Sequence, residues 1–159
     1  MKFNSALRNF VLVLFSTLLI SACSTAKKAS VDTVDDVYTG TDTVEYLAKG
    51  VPDRVFFATN KSKLTTRSRD TLRKQATFLR KNKDVTVTLE GHADERGTRE
   101  YNLALGERRA NAARDYLMTY GVSGKRLSVI SYGKEKPVNP ASTPLAWSQN
   151  RRAVTIKTN

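Results

Sequence analysis

Two hydrophobic periodicities alternate along the last hundred or so residues of this chain, and that alternation restricts its fold more than any other feature. Val85, Val87 and Leu89 alternate with Thr86, Thr88 and Glu90, the period-two pattern of a half-buried strand. Arg54-Val55-Phe56-Phe57-Ala58 is a β-branched and aromatic run of the same kind, and Leu127, Val129 and Ser131, then Ala153-Val154-Thr155-Ile156-Lys157, supply two more strands. A helix is predicted from about Thr66 to Lys81, where Leu72, Ala76 and Leu79 recur at i, i+4 and i+7. A second runs from about Glu100 to Tyr120, with Leu103, Ala110, Ala113, Leu117 and Tyr120 on one stripe and Gly121 as its stop. Short helical turns are read at Asp42–Leu47 and near Leu145-Ala146-Trp147, the latter after a loop carrying Pro137, Pro140 and Pro144. The order βαβαβ-β, with two crossovers, predicts an α+β two-layer sandwich: a mixed four-stranded sheet with its helices on one face.

The chain has 159 residues, and its first 22 read as an export signal: Lys2 and Arg8, an apolar run from Phe10 to Ile20, then Ser21-Ala22-Cys23. The apolar run reaches roughly 18 Å as a helix, against about 30 Å of bilayer hydrocarbon, so a signal is favoured over a lasting transmembrane anchor. Leu19-Ile20-Ser21-Ala22-Cys23 resembles the lipobox of bacterial lipoproteins, which implies acylation of Cys23 by three chains and an outer-membrane address from Ser24. Three chains would hold the protein on its membrane almost permanently, where one gives only marginal binding. Residues 23–52, rich in Ser, Thr, Asp, Ala and Lys, are read as the acylated Cys and a flexible linker, and 53–159 as the folded domain. A linker of about 28 residues would span near 30 Å and stretch to roughly 95 Å.

Composition excludes more than it assigns. One Cys rules out an intramolecular disulfide framework, and with one His it makes a structural zinc site untenable. The formal charge is +12, or +10 once Lys2 and Arg8 leave with the signal, which favours a polyanionic partner or acidic surface.

The chemistry concentrates after the second strand, in Glu90-Gly91-His92-Ala93-Asp94-Glu95-Arg96-Gly97-Thr98, followed by Tyr101-Asn102-Leu103-Ala104-Leu105-Gly106-Glu107-Arg108-Arg109-Ala110. Its glycines allow a tight strand-to-helix loop that could aim Asp94 into a cleft, while Arg109 falls in the third turn of the helix. Taken alone, Asp94 and Arg109 read first as an ion pair of the fold and second as a ligand contact; Glu95 with Arg96 reads as a local ion pair, and His92 as loop support rather than a metal ligand. Of Phe56 and Phe57, one is expected in the core and one along the cleft.

These two motifs, with Ser131-Tyr132-Gly133-Lys134-Glu135-Lys136-Pro137 and Asn150-Arg151-Arg152-Ala153, resemble the OmpA C-terminal-like family in its peptidoglycan-associated lipoprotein branch, from about Val51 to Ile156. The resemblance implies that Asp94 and Arg109 bind meso-diaminopimelate in peptidoglycan stem peptides, with Phe57, Ala58, Asn60, Asn102 and Leu105 in the same site and Asn102 bracing the loop. It implies further a place in the Tol-Pal envelope and cell-division system, a TolB-like periplasmic propeller protein as partner, and no cofactor. Where relatives carry Phe-Asp-x-Asp after the first strand, this chain has Phe57-Ala58-Thr59-Asn60, which removes two carboxylates from that loop.

Two other function classes fare worse. A wall hydrolase needs an activated nucleophile, a metal cluster or two opposed carboxylates, whereas Asp94 and Glu95 are adjacent in one loop. A nucleic-acid module has only net charge in its favour and conflicts with the export signal.

Overall fold

A computed structural model describes residues 36–159. The export signal, Cys23 and Ser24 lie outside the described residues. The elements in chain order are β1 (Tyr46–Ala48), β2 (Val51–Pro52), β3 (Arg54–Phe56), α1 (Thr66–Lys81), β4 (Val87–His92), α2 (Arg99–Thr119), β5 (Leu127–Gly133), α3 (Pro144–Asn150) and β6 (Arg152–Lys157), with a 3-10 turn at Gly124–Arg126 before β5.

The main sheet is mixed and four-stranded, in the order β3-β6-β4-β5. β4 and β5 run parallel from Val87↔Leu127, with an irregularity at His92↔Gly133, while β6 is antiparallel to both β3 and β4. The α+β reading therefore stands, with β6 inserted between the strands that α1 connects. One face of the sheet receives α1 and α2: Val55, Leu89 and Ala153 meet Leu72, Ala76, Leu79, Ala110, Ala113 and Leu117 in one apolar cluster. Burial of an aliphatic side chain contributes about 1.5–3 kcal/mol, so this cluster dominates the stability.

Each helix starts on a threonine cap. The side-chain oxygens of Thr65, Thr98 and Thr143 accept from the backbone N–H groups of Ser68, Tyr101 and Ala146. α2 ends as expected, with Gly121 at φ 81°, and Arg126 closes α1 from outside by donating to the carbonyls of Leu79 (3.0 Å), Asn82 (2.7 Å) and Val85 (2.9 Å from Nε).

Residues 36–52 correct the linker reading. Tyr46–Ala48 and Val51–Pro52 form an antiparallel hairpin rather than flexible chain, and Asp42–Leu47 is not a helical turn. Leu47 is buried in the main cluster, and Tyr38 is buried with its ring centre 4.8 Å from that of Phe56 in an edge-to-face arrangement. Single apolar residues set among polar ones carry this segment, and no periodicity marks them.

α2 approaches β4 closely enough that no side chain fits between them. A Cβ on Gly91 would lie 1.8 Å from the Gly106 carbonyl oxygen, and one on Gly106 would lie 2.3 Å from Ser131 Oγ. One turn beyond Gly106, this contact fixes where Arg109 enters the domain.

Candidate functional site

Asp94 follows the last residues of β4 and is buried, and four donors from two arginines converge on it. The backbone N–H and Nε of Arg96 donate to Oδ1 (3.1 and 3.0 Å), Nη2 of Arg96 to Oδ2 (2.8 Å), and Nη1 of Arg151 to Oδ2 (3.3 Å). Burial alone would raise the Asp94 carboxyl pKa, but the side-chain and backbone hydrogen bonds from Arg96 outweigh it and hold it below the usual carboxylate value. Asp94 is therefore a fixed negative charge at neutral pH.

Arg109 is wholly buried and does not pair directly with Asp94, so the simple ion-pair alternative is not what the chain builds. Its Nε donates to the Lys61 carbonyl (2.9 Å), Nη1 to His92 (2.8 Å) and Nη2 to Ala58 (3.1 Å), and its guanidinium lies 5.4 Å from the centre of the Phe57 ring. It thus ties the loop after β3 to the end of β4. Burial, then the neighbouring Arg151 charge, pushes its pKa down to about 10, still protonated at neutral pH. Three carbonyl contacts leave two of its five N–H bonds, one on each Nη, uncommitted to these partners.

The other expected site residues sort by role. Asn102 is buried and donates from Nδ2 to the Arg96 carbonyl (2.9 Å), bracing the Asp94 loop. Ala58 contributes a carbonyl, whereas Asn60 is exposed at φ 55°, a left-handed conformation that asparagine tolerates better than most residues. Leu105, Phe56 and Phe57 are all buried, which corrects the expectation that one phenylalanine lines the cleft. Glu95 does not pair with Arg96: its carboxylate accepts from Trp147 Nε1 (2.8 Å) and Ser142 Oγ (3.0 Å), while the Arg96 guanidinium turns to Asp94 and lies 4.3 Å from the centre of the Trp147 ring.

Besides Arg96, three members of the cluster were not assigned to it by sequence reasoning. Arg151 is buried, donates from Nε to the Phe57 carbonyl (3.1 Å), and reaches both Asp94 and Asp36. Its signal was available in Asn150-Arg151-Arg152, where Asn150 braces the preceding loop through Val138 N (2.8 Å) and the Asn139 carbonyl (2.7 Å). Trp147 comes from α3, and Asp36 from the segment ahead of the hairpin. Nη2 of Arg151 donates to Asp36 Oδ1 (2.6 Å) and to its backbone carbonyl, and the Thr59 N–H donates to Asp36 Oδ2. Asp94 and Asp36 thus stand among Arg96, Arg109 and Arg151, two acceptors and several forked donors in one cluster. Among the described residues no cluster of His, Cys, Asp and Glu could hold a metal ion.

Around this mixed sheet with its buried carboxylate and buried arginines, residues 56–151 match the OmpA family, and the chain belongs to it. It is 44% identical over 153 residues to the peptidoglycan-associated lipoprotein of Mesorhizobium japonicum, covering 93% of this chain and 91% of that one. Against the protein of the same name from Rhizobium meliloti it is 57% identical over 106 residues, 67% of this chain and 60% of the relative's length. Among solved structures, the peptidoglycan-associated lipoprotein from Burkholderia pseudomallei superposes with a TM-score of 0.65 at 36% identity, covering 67% of this chain and 90% of that one. The C-terminal domain of Helicobacter pylori MotB shares the fold, with a TM-score of 0.63 at 22% identity over 67% of this chain and 84% of that one.

Proposed function

We propose that this cleft binds the meso-diaminopimelate of peptidoglycan stem peptides, and that the chain is a non-catalytic lipoprotein tethering the outer membrane to the cell wall within the Tol-Pal system. The observation that carries the reading is the charged Asp94 carboxylate held beside the Arg109 and Arg151 guanidiniums. The free end of diaminopimelate places an ammonium and a carboxylate on one carbon, so it needs one anionic acceptor and forked cationic donors within a few ångströms. Asp94 takes the ammonium, and Arg109 answers the carboxylate with its two uncommitted N–H bonds and its charge. Hydrogen bonds to charged groups contribute about 1.5–3 kcal/mol each. Asn102 and Phe57 hold these two groups in place, and the loop carrying Ala58 and Asn60 contributes backbone groups where its relatives carry carboxylates.

The names and full-length similarity of the relatives support the same placement. So does the sequence ahead of the domain: acylated Cys23 in the outer membrane, a tether through the residues before Asp36, and the domain reaching the wall from the periplasmic side. A TolB-like propeller protein is the expected partner, competing with the stem peptide for an overlapping surface, so added muropeptide should lower its capture by the chain. The tether reading gives Glu95 the role of a loop brace, and its bonds from Trp147 and Ser142 support that role.

Co-sedimentation of the detergent-solubilised full chain with purified sacculi tests the reading. Asp94→Ala and Arg109→Ala should stay in the supernatant while keeping a native circular dichroism spectrum. Because Arg109 bridges three carbonyls, Arg109→Lys provides a milder variant that keeps the charge and loses the fork. If folded Asp94→Ala and Arg109→Lys both sediment like wild type, the diaminopimelate grip is wrong and positive charge or another surface must hold the wall.

A further inference from the structure

Asp36 enters the cleft from a stretch of chain that no periodicity marks, 23 residues before Thr59 and 115 before Arg151. Both of its carboxylate oxygens are engaged, Oδ2 by the Thr59 N–H and Oδ1 by Arg151 Nη2 at 2.6 Å. A backbone amide and a guanidinium on one carboxylate is the recognition a ligand's own carboxylate would use. The two partners differ in access: the Arg151 side chain is 2% exposed, the Asp36 side chain 43%, so the seat is built by the domain and its occupant sits at the rim. The occupant is held there by the strap behind it, whose Tyr38 is buried against Phe56. Charge points the same way. With Asp36 in place, Arg96, Arg109 and Arg151 face two carboxylates; with Asp36 withdrawn, they face Asp94 alone and the cleft gains a unit of positive charge.

We propose that Asp36 is an intramolecular competitor occupying a second carboxylate seat, built by Arg151 and the Thr59 amide beside the one Arg109 offers, so that a stem peptide bound through Arg109 places its other carboxylate there, displaces Asp36 and releases the strap from residue 36 toward Tyr38. This rests on the peptidoglycan reading above. A self-occupied site binds with its intrinsic affinity reduced by the fraction of molecules that are open, so a tenfold preference for the closed form weakens apparent binding about tenfold. The strap therefore sets a threshold of wall ligand below which the domain stays closed.

The test uses the full chain in detergent, with a soluble diaminopimelate-containing tripeptide muropeptide as probe and thermal melts as the check on folding. Asp36→Ala should bind about tenfold more tightly than wild type, and Asp36→Lys, which sets a cation against Arg151, at least as tightly. The Thr59 amide resonance in ¹⁵N-labelled protein should move on Asp36→Asn substitution, and muropeptide should displace it in the wild type. Equal affinity of wild type and Asp36→Ala overturns the competitor while leaving the peptidoglycan reading intact. Weaker binding by Asp36→Ala makes the residue part of the ligand site and overturns it as well. A Thr59 resonance indifferent to bound muropeptide does the same. If no folded variant binds at all, the peptidoglycan reading itself has failed and the competitor falls with it.

Discussion

His92 shows how a single side chain can be expensive to bury and still be kept. It is 2% exposed, its ring lies 5.6 Å from that of Tyr132, and neither ring nitrogen meets a partner in bonding geometry; the nearest carboxylate, Glu90, is 3.7 Å from Nε2. Burial first, then the charges of Arg152, Lys136 and Arg54, pushes its pKa down to about 3. The folded protein therefore excludes a proton that the unfolded chain takes up near pH 6.5. Stability contributed by neutral His92 is whole above about pH 6.5 and erodes as pH falls toward 3, by about 2–3 kcal/mol between pH 7 and 4.5. Urea denaturation at those two pH values checks this, and His92→Phe should flatten the difference while leaving the His92 backbone carbonyl on Arg109. At this scale the sequence was half informative. Asp94 stood out because a glycine-rich loop after a strand draws attention to it, whereas Asn102 came only through the family resemblance. The partners of Asp94 were not legible, because Arg96 and Glu95 offer the same local pairing on paper, and Trp147, 52 residues on, decides between them by taking Glu95.

Among the elements, α1, α2, β4 and β5 were readable from hydrophobic period, and β3 and β6 from short β-branched or aromatic runs whose burial does not alternate. The order of the sheet was not, because inserting β6 between β3 and β4 depends on pairing across most of the domain, which leaves no local trace. The β1–β2 hairpin escaped for the opposite reason: it buries little beyond Leu47, too few residues to form a pattern. The tightest element contact is α2 on β4. Helix propensity would reward Gly106→Ala by about 1 kcal/mol, but the added Cβ would fall 2.3 Å from Ser131 Oγ, which is itself tied to the Leu103 carbonyl at 2.7 Å. Overpacking of about 1–3 kcal/mol is expected to cancel or exceed the gain. Gly91→Ala meets backbone at 1.8 Å and should cost about 3 kcal/mol or more, read as a lower urea midpoint with unchanged slope. Since α2 carries Arg109, both changes should also weaken binding to sacculi.

For the molecule as a whole, the folded unit begins earlier than its composition suggests. Asp53 joins its two parts: it forks onto Arg54 (2.8 and 2.7 Å) and accepts from the Glu45 N–H (3.1 Å), while the Pro52 carbonyl accepts from buried Gln75 (2.7 Å). A chain starting at residue 53 loses the burial of Leu47 and Tyr38 and leaves the Gln75 amide nitrogen without its Pro52 acceptor, while its oxygen still accepts from Thr155. It should be about 3–5 kcal/mol less stable than one starting at residue 36, as measured by denaturant midpoint. Arg126 has a consequence of another kind. Arg80, Lys81 and Lys83 stand in succession on an exposed stretch, an inviting target for any protease that cuts after basic residues. Such enzymes need several residues of backbone drawn out into an extended form in their active site. By fastening the carbonyls at 79, 82 and 85 to one guanidinium, Arg126 denies them that slack, and an exposed basic sequence becomes a durable one.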